Sequence, residues 1–236
     1  MIDAVTAFLG IVPLLIFRIP QQMRSDTTEM SLWQDFRLGL RLVISHRGLL
    51  WLYGLTALMV AVLMPALVIM PLLVKDEFGG GVNQVALMEG IGGIGMILGG
   101  ILVALITLPK RRVIVVLLGF ALASVAIAVI GIVPRNLFWL ANLWWFISCV
   151  TFALGNAPIM AILQSIIPNQ MQGRALSLFS TFIGLAGPVG LMLAAPLGEM
   201  LGVRGLMIGG GLVAALVCLA GFLSPSLMKV DEQPFA

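Results

Sequence analysis

Six long apolar runs, preceded by one shorter run at the start of the chain, are each divided from the next by a brief charged or turn-rich break. A run of about 18 or more apolar residues is what a helix needs to cross the hydrocarbon of a bilayer. The runs cover residues 2–17, 48–74, 85–108, 113–133, 137–167, 175–197 and 205–223, the first being short. In hydrocarbon every backbone N–H and C=O must be satisfied within its own segment. Runs of this length with no alternating polar period therefore fit helices and exclude an outer-membrane barrel. The expected fold class is all-α: a polytopic membrane protein with a six-helix bundle and one extra short N-terminal span. A composition 61% hydrophobic and only 10% charged points to lipid as the solvent.

The breaks carry an orientation signal. Arg18, Arg24, Arg37, Arg41 and Arg47 lie between the first two runs; Lys110, Arg111 and Arg112 follow the third, Arg174 the fifth, and Lys229 stands in the tail. The alternate breaks hold only Lys75, Arg135 and Arg204, with the acids Asp76, Glu77 and Glu199. The positive-inside rule makes the first set cytoplasmic, which places the N-terminus outside and the C-terminus inside. The net charge of +3 thus reads as topology, and no nucleic-acid partner is expected. Cys149 and Cys218 fall inside runs and are expected to be packed hydrophobes rather than a disulfide.

Met1-Ile2-Asp3 opens directly into an apolar segment without leading basic residues, and Arg18-Ile19-Pro20 offers no small-residue cleavage site. The first run therefore reads as the tail of a helix whose predecessors are missing, not as a signal peptide. Residues 21–30 are polar and read as a flexible connector. Ser31 can then cap a helix with Gln34 three residues on, and Leu32, Phe36, Leu40 and Val43 recur on one face while Asp35, Arg37 and Arg41 occupy others. That pattern predicts an interfacial amphipathic helix on the cytoplasmic leaflet, or alternatively a soluble partner-binding helix.

The order of these parts resembles a known family. A short helix opening Ile2-Asp3-Ala4-Val5-Thr6-Ala7-Phe8, the Arg18-Ile19-Pro20 exit, a polar linker and Leu38-Gly39-Leu40-Arg41 before a new span look like the middle of a major facilitator superfamily transporter. A Pro109-Lys110-Arg111-Arg112 turn, and Pro168 to Arg174 leading into Gly187-Pro188-Val189-Gly190, continue the match. The resemblance is nearest to the bacterial drug-efflux branch that includes the macrolide exporters, and it covers family helix six and the C-terminal six-helix domain. It implies two six-helix bundles, each of two inverted three-helix repeats, rocking about a central cavity. On that plan the chain divides into a helix remnant at 1–17, a cytoplasmic linker with an amphipathic helix at 18–47, a bundle at 48–223 with inverted triples 48–133 and 137–223, and a cytoplasmic tail at 224–236. The resemblance further implies secondary active, proton-coupled efflux of small hydrophobic compounds across the bacterial inner membrane, with no organic cofactor. The partners it implies are the lipid bilayer, a small-molecule substrate, and a missing N-terminal half or second bundle that would complete a full-length or split transporter. The alternative is a non-transporting truncated membrane protein that binds or stabilises another helical protein.

Small residues mark expected helix contacts: Ala186, Gly190, Ala194 and Gly198 at four-residue spacing, Gly92, Gly95 and Gly99 on one face, and the pair Gly205 and Gly209. Gly187 and Pro188 join this packing set. Pro65, Pro71, Pro158, Pro188 and Pro196 permit kinks. Such faces either hold the bundle together or slide during alternating access. Polar groups at membrane depth are the substrate or proton-pathway candidates, since a central charge costs about 2.5 to 3.5 kcal/mol on insertion scales. They are Glu89, which can instead reach water or pair with Lys75, and Asn142, Asn156 and Gln164, which can instead join helices. Gly173 and Arg174, with Lys110, Arg111 and Arg112, are candidates for the gate loops that the resemblance implies, and serve equally well as topological anchors. The cluster at 109–112 lacks the acidic residue of that family loop. Trp144 and Trp145 fall mid-span as core or cavity wall, whereas Trp33, Trp51 and Trp139 suit interfacial belts.

Catalysis finds no support in this inventory. The one histidine, His46, lies outside the runs, no two acids within the runs are close enough to suggest a metal site, and no Walker loop occurs.

Overall fold

The computed structural model describes residues 32–106 and 111–232, with side chains from 36 to 106 and from 111 to 231. The short first run, the linker to residue 31, Pro109 and Lys110, and the side chains of Trp33 and Asp35 lie outside the described residues. By its contacts the chain divides into residues 1–35 and 36–236, and the second unit is described below.

All the regular structure described is helical: α1 (Leu32–Ser45), α2 (Arg47–Val68), α3 (Met70–Asp76), α4 (Val82–Leu105), α5 (Arg112–Ile132), α6 (Phe138–Ile166), α7 (Asn169–Gly221) and α8 (Pro225–Met228), then a 3₁₀ turn over Val230–Glu232. Five stretches are long and apolar enough to cross a membrane, α2 and α3 counting as one. Local chemistry sets the breaks. His46 caps α2, its Nδ1 accepting from the Leu49 N–H at 3.3 Å. Pro71, in the first turn of α3, cannot donate to the helix before it, so the run expected at 48–74 bends at Ile69 into two helices. The helix expected from residue 85 begins at Val82, because the Gln84 side chain turns back to accept from the Gly81 N–H at 2.9 Å.

Helix α7 contains 53 residues. A straight helix of that length would measure about 80 Å, well over twice the hydrocarbon thickness. Gly202 divides it: its φ of 70° and ψ of 170° lie where an L side chain is strained, so glycine supplies the corner between a first arm (169–201) and a second (203–221).

The arms pack in a reciprocal pattern. Helix α2 meets both arms of α7: Gly190 of the first arm lies on the Ala61 carbonyl, and Gly210 of the second lies 3.3 Å, measured from an added Cβ, from the Val62 carbonyl. Helix α6 likewise meets α4 and α5, through Gly92, Gly95 and Gly99 on one side and the facing pair Gly119 and Gly155 on the other. Between these sets α5 packs on the second arm of α7, where an added Cβ at Gly211 would stand 2.6 Å from the Ala128 nitrogen. α5 is the most deeply buried of the membrane-crossing helices.

At the end of the bundle bearing Arg111 and Arg174, two further segments close the structure. α1 buries Gly39, Leu42 and Val43, with Gly39 against the backbone of Arg174, and leaves Phe36 40% exposed. Its buried face is thus rotated from the expected 32/36/40/43 stripe, because the side-chain-free Gly39 is where it can approach α7. The tail folds back too. Leu227 and Val230 are fully buried, Val230 sits over Gly48 at the start of α2, and the Asp231 carboxylate accepts from the Val113 N–H at 3.2 Å in the first turn of α5. An acid at that position satisfies one of the free donors of a helix N-terminus.

Candidate transport site

An apolar cavity of about 170 Å³ lies between α2, α4, α5 and α6. Leu63 and Leu67 come from α2, Met96 from α4, Ile127 from α5, and Trp145 and Phe152 from α6. Ala123, Ser148 and Cys149 complete the lining. Its one hydroxyl is engaged, since Ser148 Oγ donates to the Ala123 carbonyl at 3.0 Å and ties α6 to α5. Trp145 reaches its place because Gly92 has no side chain: an added Cβ there would strike the indole Nε1 and come within 3.1 Å of Cε2. The indole N–H is buried without a partner among the described residues.

The pathway candidates occupy different settings. Asn142 is 2% exposed; its Nδ2 donates to the Phe138 carbonyl at 3.0 Å, while its Oδ1 is buried without a partner among the described residues. Asn156 and Gln164 are exposed. Two turns apart on α6, they share a face with Met160 and continue the line from Phe152, and neither side chain is hydrogen-bonded among the described residues. Glu89 is exposed on α4, two turns from Met96 on the same face and within electrostatic range of Cys149. It forms no ion pair with Lys75 among the described residues. The structure therefore brings Glu89 near the cavity and sets Asn156 and Gln164 beyond it, whereas Asn142 is enclosed in the helix packing.

The loop candidates also occupy different settings. Gly173 is exposed, with open space where a Cβ would go. Arg174 is half-buried, its backbone carbonyl accepting from Ser177 Oγ at 2.9 Å. Arg112 Nη1 donates to the Ala161 carbonyl at 3.3 Å and so fastens the start of α5 to α6; Arg111 is exposed beside it. Of the packing candidates, Gly95, Gly99 and Gly190 are in tight backbone contact and Ala194 is half-buried. Gly187 and Pro188 stand off this contact: Gly187 is half-buried with open space where a Cβ would go, and Pro188 is exposed. Gly198 and Gly209 likewise meet nothing within 4 Å.

At the opposite end of the bundle an ionic cluster escaped the sequence reading. Glu77 Oε2 accepts from Arg204 Nε at 2.6 Å and from Arg135 Nε at 3.0 Å. The Arg204 hydrogen bond, opposed by partial burial and reinforced by Arg135, holds the Glu77 carboxyl below the ordinary carboxylate range. One carboxylate thereby joins the end of α3, the α5–α6 connection and the corner of α7. Its partners lie 58 and 127 residues away, a separation that no local pattern reveals. Among the described residues no group of three or more His, Cys, Asp or Glu side chains could hold a metal ion.

Comparison with known proteins now bears on this geometry. Over 231 residues the chain is 24% identical to macrolide efflux protein A of Streptococcus pyogenes, covering 98% of this chain and 57% of that protein. It is also 24% identical to macrolide efflux protein A of Enterococcus faecalis over 191 residues, covering 80% of this chain and 59% of that protein. The chain thus spans rather more than half the length of the curated relatives it matches. The family model of the Major Facilitator Superfamily matches residues 1–191. An all-helical membrane-crossing bundle and a family match over most of its length agree: this chain belongs to the major facilitator superfamily.

Proposed function

We propose that this chain forms one six-helix half of an efflux transporter that exports small hydrophobic compounds by proton antiport, its substrates passing between this bundle and a second one. The family points to transport rather than catalysis, and the relatives named for macrolide efflux suggest a substrate class. The observation that carries the reading is Asn156 and Gln164. Two amides exposed on a membrane-crossing helix, with no side-chain partner among the described residues, are costly against lipid, where an unmet polar group loses its hydration without recompense. They suit a face that looks onto a cavity or a second bundle. Glu89, near the apolar cavity, is the coupling candidate, because a carboxylate at membrane depth is costly unless it is used. The ten-to-three imbalance of basic residues favours a cytoplasmic C-terminus; a reporter after Ala236 would then be cytoplasmic and one near Gly80 external.

The test is drug accumulation. Cells expressing residues 1–236 alone should match the empty vector, because one bundle offers half a pathway. Cells expressing the chain joined behind the preceding half of the Streptococcus pyogenes relative should accumulate less macrolide, and a protonophore should reverse the effect. Glu89→Gln in the joined protein should restore accumulation with expression unchanged. No decrease from the joined protein would overturn the reading, and a protonophore-sensitive decrease from the chain alone would overturn the need for a second bundle.

A further inference from the structure

The cavity at Trp145 is a half-open recess between helices, with α5, the most buried membrane-crossing helix, as its floor. We propose that it is a subsite for an uncharged apolar ring of about benzene size, and that Gly92 keeps it open by giving the Trp145 indole room to lie back against α4. Size supports a ring: at about 170 Å³ the cavity is close to the engineered apolar cavity of roughly 150 Å³ that takes up benzene or xenon. The lining supports an uncharged one. Leucine, isoleucine, methionine and aromatic side chains provide carbon and sulfur, and the Ser148 proton is already given to Ala123. Water needs two to four polar partners, and the one donor without a partner on the lining residues is the Trp145 indole N–H, which is too few to hold it, while a charged group would lose its hydration without compensation. An empty apolar void forfeits dispersion contacts that a ring restores. Met96, half exposed and flexible, can adapt to the ring as it enters.

Gly92 is a positioning residue. An added Cβ would strike Nε1 of Trp145, would lie 3.1 Å from Cε2 and 3.2 Å from the Cys149 Sγ, and would drive the indole away from α4 toward the cavity. Gly100, two turns along α4, faces open space and provides the contrast. Calling the ring part of a transported substrate rests on the efflux reading; the site itself does not.

The experiment uses the Cys218→Ser chain in liposomes, which leaves Cys149 as the one thiol, with iodobenzene as probe. Iodobenzene at ten times its Kd should slow labelling of Cys149 by N-ethylmaleimide about tenfold, since only the empty fraction reacts. Gly92→Ala should remove that protection and Gly100→Ala should keep it. Should Gly92→Ala fail to fold, Phe152→Trp, which fills the cavity from its half-buried wall, should remove it instead. Iodine anomalous scattering from crystals soaked in iodobenzene gives a second reading and should place the ring beside Trp145. Unchanged labelling with iodine density only elsewhere would overturn the subsite, as would equal protection in the parent and the cavity-filling variants. Protection in a protein whose joined form exports nothing would keep the subsite and remove the transport reading; export without protection would do the reverse.

Discussion

Two seams in this bundle achieve the same close approach by different means. Where α4 meets α6, Gly95 and Gly99 lay one backbone along another, with added Cβ positions 2.9 Å from the Phe146 carbonyl and 2.5 Å from that of Val150, and Gly92 extends the line by making room for the Trp145 indole. Where α2 meets the first arm of α7, Ala175, Ala186 and Gly190 are the small residues buried, and larger groups do the rest. Tyr53 donates to the Ala175 carbonyl at 2.9 Å, and its ring meets Phe179 edge-on at 5.0 Å. Pro65 explains why Gly190 is needed. Lacking an N–H, it leaves the Ala61 carbonyl four residues earlier without its helical donor, and only a residue without a side chain can lie over that carbonyl. The first seam is thus a continuous rail, whereas the second is a single close point braced by an aromatic clasp.

The largest expected effect breaks the rail. Gly99→Leu should lower the thermal stability of the detergent-solubilised protein by about 3 kcal/mol or more, because the Val150 carbonyl and the Ala153 methyl leave no space for a branched side chain. A melting temperature unchanged from the parent would mean that α4 can leave α6 freely. Next, Gly190→Leu should cost about 2 to 3 kcal/mol at the single close point, while Gly187→Leu, facing open space, should stay within about 0.5 kcal/mol. Equal losses at both positions would remove the distinction between seam and free face.

The clasp is weaker. Tyr53→Phe keeps the ring contacts and removes the hydroxyl, so about 1 kcal/mol should be lost, read from the same melts. A loss as large as that of Gly190→Leu would make the hydrogen bond, not the close point, the main tie of the second seam. The smallest effect lies outside both seams, at Glu77. Its carboxyl is held below the ordinary range in the folded protein, so its stabilisation is present at neutral pH and is lost as pH falls through the lowered value. Glu77→Gln should flatten the acid side of a stability profile and leave both seam variants unaffected; an identical acid slope in the variant would show that Arg135 and Arg204 contribute nothing there.

The sequence discloses the helices far better than their contacts. A membrane-crossing helix must be long and apolar, so the run expected at 113–133 appears as Arg112–Ile132 and that at 137–167 as Phe138–Ile166. Spacing alone does not say which small residues face a neighbour. Ala186 and Gly190 are buried, yet Gly198, on the same four-residue ladder, meets nothing, and Gly211 rather than Gly209 touches α5. When lipid replaces water, both faces of a helix are apolar, and the hydrophobic pattern that identifies a buried face in soluble proteins disappears. Trp145 could be read as core or cavity wall from its depth, but the floor of that cavity comes from Ala123 and Ile127 on another helix, which no motif connects to it. The folded tail was hidden for a similar reason, since Asp231 acts on Val113 across 118 residues.

Glu77 also has a consequence for the order in which the chain is made. At about 5 to 20 residues per second, Arg204 leaves the ribosome roughly 6 to 25 s after the carboxylate that it will bind. Arg135, 58 residues on, arrives in about half that time. The carboxylate must therefore remain hydrated, or be held by Arg135 alone, while α6 and the first arm of α7 are made. That end of the bundle can be fastened in full only when the chain has been made as far as the corner of α7, so the ion cluster is a signature of the step at which the second arm begins.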